Sequence, residues 1–271
     1  MSNLAPRRII LLLALVIFVS FTASVTLAAG QEACVGVVLL HGKTGQPRVV
    51  GLGVVEPLRQ AGFLVEAPEM PWSRDRYIDR TYDEALAEID QAVARLAAKG
   101  ATKIVIAGHS MGADAALAYG ARHGNIAGII LLAPGHIPDF PAFQRGFAAD
   151  VEKARSMIDA GQGDQKATFR DTNLGKEFTR IMKSSIYYSF FSPDGIGAAA
   201  KNAAIISPDV PVLYVGGTAD PQTRALGKEF IFNKLPANLL TKYIIVDSDH
   251  MGTPAAATGE MIAWLRALAA Q

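Results

Sequence analysis

The sequence predicts an α/β fold: a mostly parallel sheet of about six strands, helices on both faces, and a helical cap inserted at about residues 136–207. Three observations carry this. Short apolar runs alternate with stretches whose apolar residues recur at three- and four-residue spacing, the pattern of strands buried on both sides between crossover helices. Half of the 271 residues are hydrophobic, enough for one sizeable core. The alternation breaks once, between Gly135 and Ser207, where helical patches occur and no strong strand candidate does.

Residues 1–29 read as a separate segment. Arg7 and Arg8 precede the unbroken apolar run Ile9–Val19, and small and mixed residues follow in "SFTASVTLAAG". That order of charge, apolar core and small residues is the pattern of a secretory signal peptide. Cleavage near Ala28, Ala29 or Gly30 would leave a mature domain over residues 30–271, periplasmic or secreted. The alternative is a retained membrane anchor over residues 9–29, which is long enough to span a bilayer. The single cysteine, Cys34, allows no intrachain disulfide. The formal net charge is +1 and no basic run is long, so nothing points to a nucleic-acid partner.

The elements then follow in order. Cys34–Leu40 is a continuous apolar strand ending at His41-Gly42, and Gly62–Pro68 is a second strand. Tyr82–Lys99 places Ala85, Leu86, Ile89, Val93 and Leu96 on one helical face, with Gly100 as its stop. Lys103–Gly108 is a β-branched strand, and Met111–His123 a helix closed by Gly124. Gly128–Pro134, Val210–Gly217 and Lys242–Asp247 are further strands. Pro254–Ala270 is a closing helix with Met261, Trp264, Leu265 and Leu268 on one face. In the interruption, "FAADVEKARSMIDAG" and "KEFTRIMKSSIYYSFF" read as helices, since a structureless loop of that length is improbable. This cap is expected over the sheet's edge. Its aromatics Tyr187, Tyr188, Phe190 and Phe191 either line an apolar pocket or pack the cap onto the sheet.

The chemistry concentrates at "KIVIAGHSMGADAALAYG", where a strand stops at Gly108-His109-Ser110-Met111-Gly112 and a helix begins. The G-x-S-x-G pattern alone is weak, but its strand-to-helix context is the one a nucleophile elbow needs. Ser110 is the candidate nucleophile, with Gly108 and Gly112 removing Cβ atoms from a crowded turn. The Met111 N–H at the helix start has no intrahelical partner and suits an oxyanion.

A serine needs a base, and the base an orienting acid. Of the five histidines, His109 flanks the serine, His123 ends a helix and is expected to be solvated, His41 follows the first strand, and His136 begins the insertion. His250, just past the last strand, is the candidate base, because sites gather at the carboxyl ends of parallel strands. Asp220, just past Val212–Val215, is the candidate acid, with Asp247 and Asp249 as rivals too near His250 in sequence to face its ring easily. The second oxyanion donor is expected from the loop after the first strand, at the Lys43 N–H, with Gly42 next. The Lys43 side chain itself is expected to be solvated.

Four pieces stand in order: "LLHGK", "GHSMG", "GTADP" and "DHMG". Together they resemble the α/β-hydrolase superfamily, in its branch of small serine hydrolases and lysophospholipase-like esterases, over nearly all of residues 35–271 except the insertion. The resemblance implies a Ser110–Asp220–His250 triad cleaving an ester or amide, with a carboxylic ester as first expectation. It implies a small-molecule or lipid-like acyl substrate, no metal or organic cofactor, and no obligate protein partner. A peptidase or acyltransferase on the same triad, or a non-catalytic binding protein of the same fold, are the alternatives. The family's fuller sheet has strands ahead of the His-Gly loop, so a trimmed sheet is expected here, with the insertion where the family places its cap.

Overall fold

The computed structural model describes residues 34–47 and 51–271. The expected signal peptide, and the alternative anchor, lie outside them. Among the described residues no helix is long and apolar enough to cross a membrane.

In chain order, β1 (Val35–Leu40) leads through α1 (Glu56–Gln60) to β2 (Leu64–Glu66). Next come α2 (Tyr82–Ala98), β3 (Lys103–His109), α3 (Met111–Gly120) and β4 (Gly128–Leu132). The insertion contributes α4 (Pro141–Asp159), β5 (Lys166–Asn173), β6 (Lys176–Lys183), α5 (Ser184–Phe191) and α6 (Ala199–Ala204). The chain returns to the sheet with β7 (Val212–Gly217), α7 (Pro221–Leu226) and β8 (Lys242–Val246), and closes with α8 (Thr253–Ala256) and α9 (Thr258–Ala269).

The six-stranded sheet runs β2-β1-β3-β4-β7-β8 with every pair parallel, so all six expected strands are present. The continuous apolar runs are explained by burial on both faces. Val38, Ile106, Ile129 and Tyr214 face a layer of α2, α3 and the insertion, whereas Val37, Val105, Ile130 and Leu213 face α1 and α9. Each large side chain so buried contributes about 1.5–3 kcal/mol. At the start of α2, the Thr81 hydroxyl accepts from the Glu84 N–H while the Glu84 carboxylate accepts from the Thr81 N–H, a complete capping box. Parallel pairing also sends the loops after β1, β3, β4, β7 and β8 to one edge, where an open α/β sheet forms its ligand crevice.

Two expectations are corrected. The insertion is not wholly helical: besides α4, α5 and α6 it holds an antiparallel hairpin, in which Asn173 pairs with Lys176 around Leu174-Gly175. The stretch "KEFTRIMKSSIYYSFF" is therefore half strand and half helix. On β5 the inward side chains are Phe169 and Asp171, so a charged residue interrupts the apolar alternation that marks a strand. The turn has φ of 51° at Leu174 and 75° at Gly175, the left-handed pair of a type I′ turn, with leucine where Asn, Asp or Gly is usual. The closing helix is broken into α8 and α9. The Thr258 hydroxyl donates to the Pro254 carbonyl at 3.2 Å and competes with the helix ladder at the break.

Candidate active site

Ser110 stands between β3 and α3 at φ 55°, ψ −120°, a conformation that costs a non-glycine residue about 1–3 kcal/mol. The turn is held by the Ser110 N–H, which donates to the Leu132 carbonyl of β4 at 3.0 Å. The flanking glycines are sterically required. A Cβ on Gly108 would overlap the Gly112 carbonyl, and one on Gly112 would overlap the Leu40 carbonyl.

His250 follows β8, and its Nδ1 donates to Asp220 Oδ2 at 3.1 Å. That bond fixes the tautomer and leaves the Nε2 lone pair free to act as a base. Asp220 is buried and caps α7, accepting from the Gln222 N–H at 3.0 Å and the Thr223 hydroxyl at 2.9 Å. Burial disfavours its carboxylate, but His250, the Gln222 N–H and the Thr223 hydroxyl outweigh that and hold it below the usual carboxylate range. The rivals are engaged elsewhere: Asp247 accepts from the Thr218 hydroxyl, and Asp249 accepts from the Gly252 N–H. Ser110 and His250 line one cavity, but the Ser110 hydroxyl makes no hydrogen bond to a described residue, so the Ser–His bond is not formed in this state. Such bonds are often long in unliganded enzymes.

The other histidines are fixed in place. His109 Nε2 donates to the His250 carbonyl at 2.9 Å. Burial, reinforced by the neighbouring His250, pushes its imidazole down to about 4, so it is a neutral strut against the His250 backbone. His41 Nδ1 donates to the Gly42 carbonyl and its Nε2 accepts from the Met70 N–H, which secures the loop after β1. His123 is not freely solvated as expected: it stacks on Tyr119 with ring centroids 3.9 Å apart.

Among the described residues, neither the Met111 nor the Lys43 N–H donates to a protein acceptor. The Lys43 side chain, expected in solvent, is buried at 3% exposure. Its Nζ pairs with Asp171 on β5 and donates to the Thr172 carbonyl at 3.0 Å, and Asp171 also pairs with Arg180 on β6 at 2.6 Å. This partner lies in the insertion, far along the chain, and no local pattern could have named it.

Two cavities meet at Ser110, parted by the hairpin tip. One, of about 290 Å³, is lined by Lys43, His136, Phe143, Gln222 and residues 172–175 as well as by Ser110 and His250. The other, of about 170 Å³, runs past Thr44, Arg74 and Met251. Tyr187, Phe190 and Phe191 are buried and line neither, so three of the four aromatics pack the cap as the second alternative had it. Phe143, Gln222 and the tip are wall residues that the sequence left unnamed, and His136, expected only to begin the insertion, is another wall residue. Among the described residues no cluster of three or more His, Cys, Asp or Glu could hold a metal ion.

The sequence profile described as the Alpha/beta hydrolase family matches residues 37–262. The chain belongs to that family. No curated protein sequence matches this α/β-hydrolase. Among solved structures it is similar to a thermostable carboxyl esterase from Bacillus coagulans, at 15% identity and TM-score 0.61, over 89% of this chain and 92% of that one. It is also similar to Est1E of Butyrivibrio proteoclasticus, solved with ferulic acid bound, at 20% identity and TM-score 0.56, over 89% and 92%. A monoacylglycerol lipase from Paleococcus ferrophilus matches at 22% identity and TM-score 0.56, over 87% and 94%. At these identities the likeness is one of fold.

Proposed function

We propose that this α/β-hydrolase is an exported carboxylesterase in which Ser110 is the nucleophile, His250 the base and Asp220 the orienting acid. The observation that carries the reading is a strained, glycine-flanked Ser110 sharing one cavity with a histidine whose Nδ1 is bonded to a buried carboxylate. The esterases and lipase of the same fold favour an ester over an amide.

In this reading His250 Nε2 takes the hydroxyl proton as Ser110 Oγ bonds to the acyl carbon. The N–H groups of Met111 and Lys43 hold the resulting oxyanion. Collapse breaks the bond to the leaving oxygen, which departs as an alcohol with the proton from His250. Water attacks the acyl-enzyme, gives a proton to His250, and the carboxylic acid leaves as that proton returns to Ser110.

A fluorophosphonate probe tests this without knowledge of the substrate. The wild type is expected to label on Ser110 and Ser110→Ala not at all, with both proteins folded. A wild type that neither labels nor cleaves esters of graded acyl length would overturn the reading in favour of a binding protein. Export is tested by N-terminal sequencing of the protein recovered outside the cytoplasm, which should begin near residue 30. An intact Met1 would favour the anchor.

A further inference from the structure

We propose that the 290 Å³ cavity receives an acyl group bearing a hydroxyl, which accepts a hydrogen bond from Lys43 Nζ and donates one to His136 Nδ1. This rests on the esterase reading above and names its substrate class.

His136 belongs to the nucleophile's own wall. It follows Gly135, where a Cβ would come within 2.8 Å of Ser110 Oγ, and its ring lines the cavity at 7% exposure. Its backbone has φ 58°, a left-handed conformation kept only where the surroundings enforce it. The ring stands edge-on to Phe143 and Phe191, with centroids 5.0 and 4.7 Å away.

The tautomer follows from one bond. His136 Nε2 lies 3.0 Å from the Phe190 carbonyl, which can only accept, so Nε2 carries the hydrogen. Burial, with the Lys43 charge adding to it, pushes the imidazole down to about 3, so the ring stays neutral. Nδ1 therefore holds a bare lone pair on the side of the ring away from Phe190. It is buried and has no partner among the described residues.

Lys43 supplies the complement. Its ammonium has three N–H groups. One goes to Asp171 and one to the Thr172 carbonyl, and no described residue takes the third. Nζ sits 5.2 Å from the centroid of the same Phe191 ring that His136 abuts, and Lys43 lines the same cavity.

Lys43 and His136, which hold an unspent donor and an unspent acceptor, thus both line the cavity. A hydroxyl is the small group that satisfies both. An alkyl chain leaves both buried groups unpaired, and buried polar groups without partners are costly. A carboxylate would meet the His136 lone pair and the Asp171 charge. The cavity lies at the small end of ligand pockets, which suits a short or single-ring acyl group over a long chain.

The test uses 4-nitrophenyl esters of hydroxy acids in graded lengths, each beside two isosteres. One has hydrogen for the hydroxyl and the other has O-methyl, which accepts but cannot donate. At the best length, kcat/KM for the hydroxy ester should exceed both isosteres by about tenfold or more. In His136→Phe the preference over O-methyl should fall toward one, and in Lys43→Met the preference over hydrogen should shrink. Because His136→Phe strains the backbone, the wild type gives a second measure. The free hydroxy acid should protect Ser110 from the fluorophosphonate at about tenfold lower concentration than its deoxy analogue. If the probe labels Ser110 yet all three esters are cleaved alike at every length, or both acids protect equally, the pair belongs to a water and this proposal falls while the esterase reading stands. If the probe does not label Ser110 and no ester is cleaved, both fall.

Discussion

The sheet's carboxyl edge and the inserted cap meet over Ser110, and each is held by different physics. The edge is fixed by backbone. Gly108 and Gly112 leave no room for a side chain, the Ser110 N–H is tied to Leu132, and Asp220 takes its place by capping α7. The cap is fixed by side chains from distant parts of the sequence. Asp171 is buried between Lys43 and Arg180, Asn173 Nδ2 donates to the Thr44 hydroxyl at 2.9 Å, and Phe169, Tyr187 and Phe191 stack at 4.3 and 4.1 Å. On the proposed reading the edge sets where chemistry happens, and the cap sets what fits there. Damage to the edge should abolish turnover in a folded protein, whereas damage to the cap should first cost stability and selectivity.

The sharpest break of that division is at Asp220. Asp220→Asn keeps the shape of the carboxylate but removes the charge that fixes the His250 tautomer. We expect kcat to fall roughly ten-thousand-fold, with circular dichroism unchanged. A loss under tenfold would remove Asp220 from the edge's machinery and return Asp247 or Asp249 to consideration.

The next effect falls on the cap. Asp171→Leu leaves Lys43 and Arg180 facing each other without their anion. Breaking a buried pair in this way costs about 3–5 kcal/mol, readable by urea denaturation. The double variant Lys43→Met, Asp171→Leu should recover part of that loss, because Lys43 no longer lies buried without its anion while Arg180, 11% exposed, still does. If the single variant is as stable as wild type, the ion pair does not hold the cap.

How much was legible follows the same line. The elbow, the strands and the Asp220 and His250 positions depend on residues a few places apart, so glycine spacing and apolar runs disclose them. The hairpin did not show, because Asp171 occupies an inward strand position and Leu174 the first place of a type I′ turn. Neither choice makes sense until Lys43 and Ser110 are known to lie beneath them. The side chain of Lys43 was misread for the same reason: its burial is a property of a partner in the insertion.

Acidity probes the two regions together, with a smaller effect. Burial disfavours the Asp171 carboxylate, but the charges and hydrogen bonds of Lys43 and Arg180 outweigh that and hold it below its ordinary range. A folded value below the unfolded one means stability that is complete above the unfolded pKa and is lost as pH falls through the folded value. Unfolding free energy should therefore decline below about pH 4, and more steeply in wild type than in the Lys43→Met, Asp171→Leu variant, which lacks that carboxylate. Parallel curves would show that Asp171 carries no such linkage.

The smallest effect separates stability from selectivity at a single residue. Leu174 holds φ 51° at the hairpin tip, 61% exposed, and lines both cavities. A left-handed leucine costs about 1–2 kcal/mol relative to its preferred conformation, and asparagine before glycine suits a type I′ turn far better. Leu174→Asn should thus raise stability by about 0.5–1 kcal/mol, shifting the urea midpoint upward. Its apolar side chain gains little from the protein at such exposure, and on the proposed reading an acyl group would pack against it. The same substitution should raise KM for esters whose acyl group reaches the tip while leaving kcat nearly unchanged, since no reacting atom is touched. A variant that is less stable than wild type would mean that Leu174 packs within the cap after all, and the tip would then be structural instead of selective.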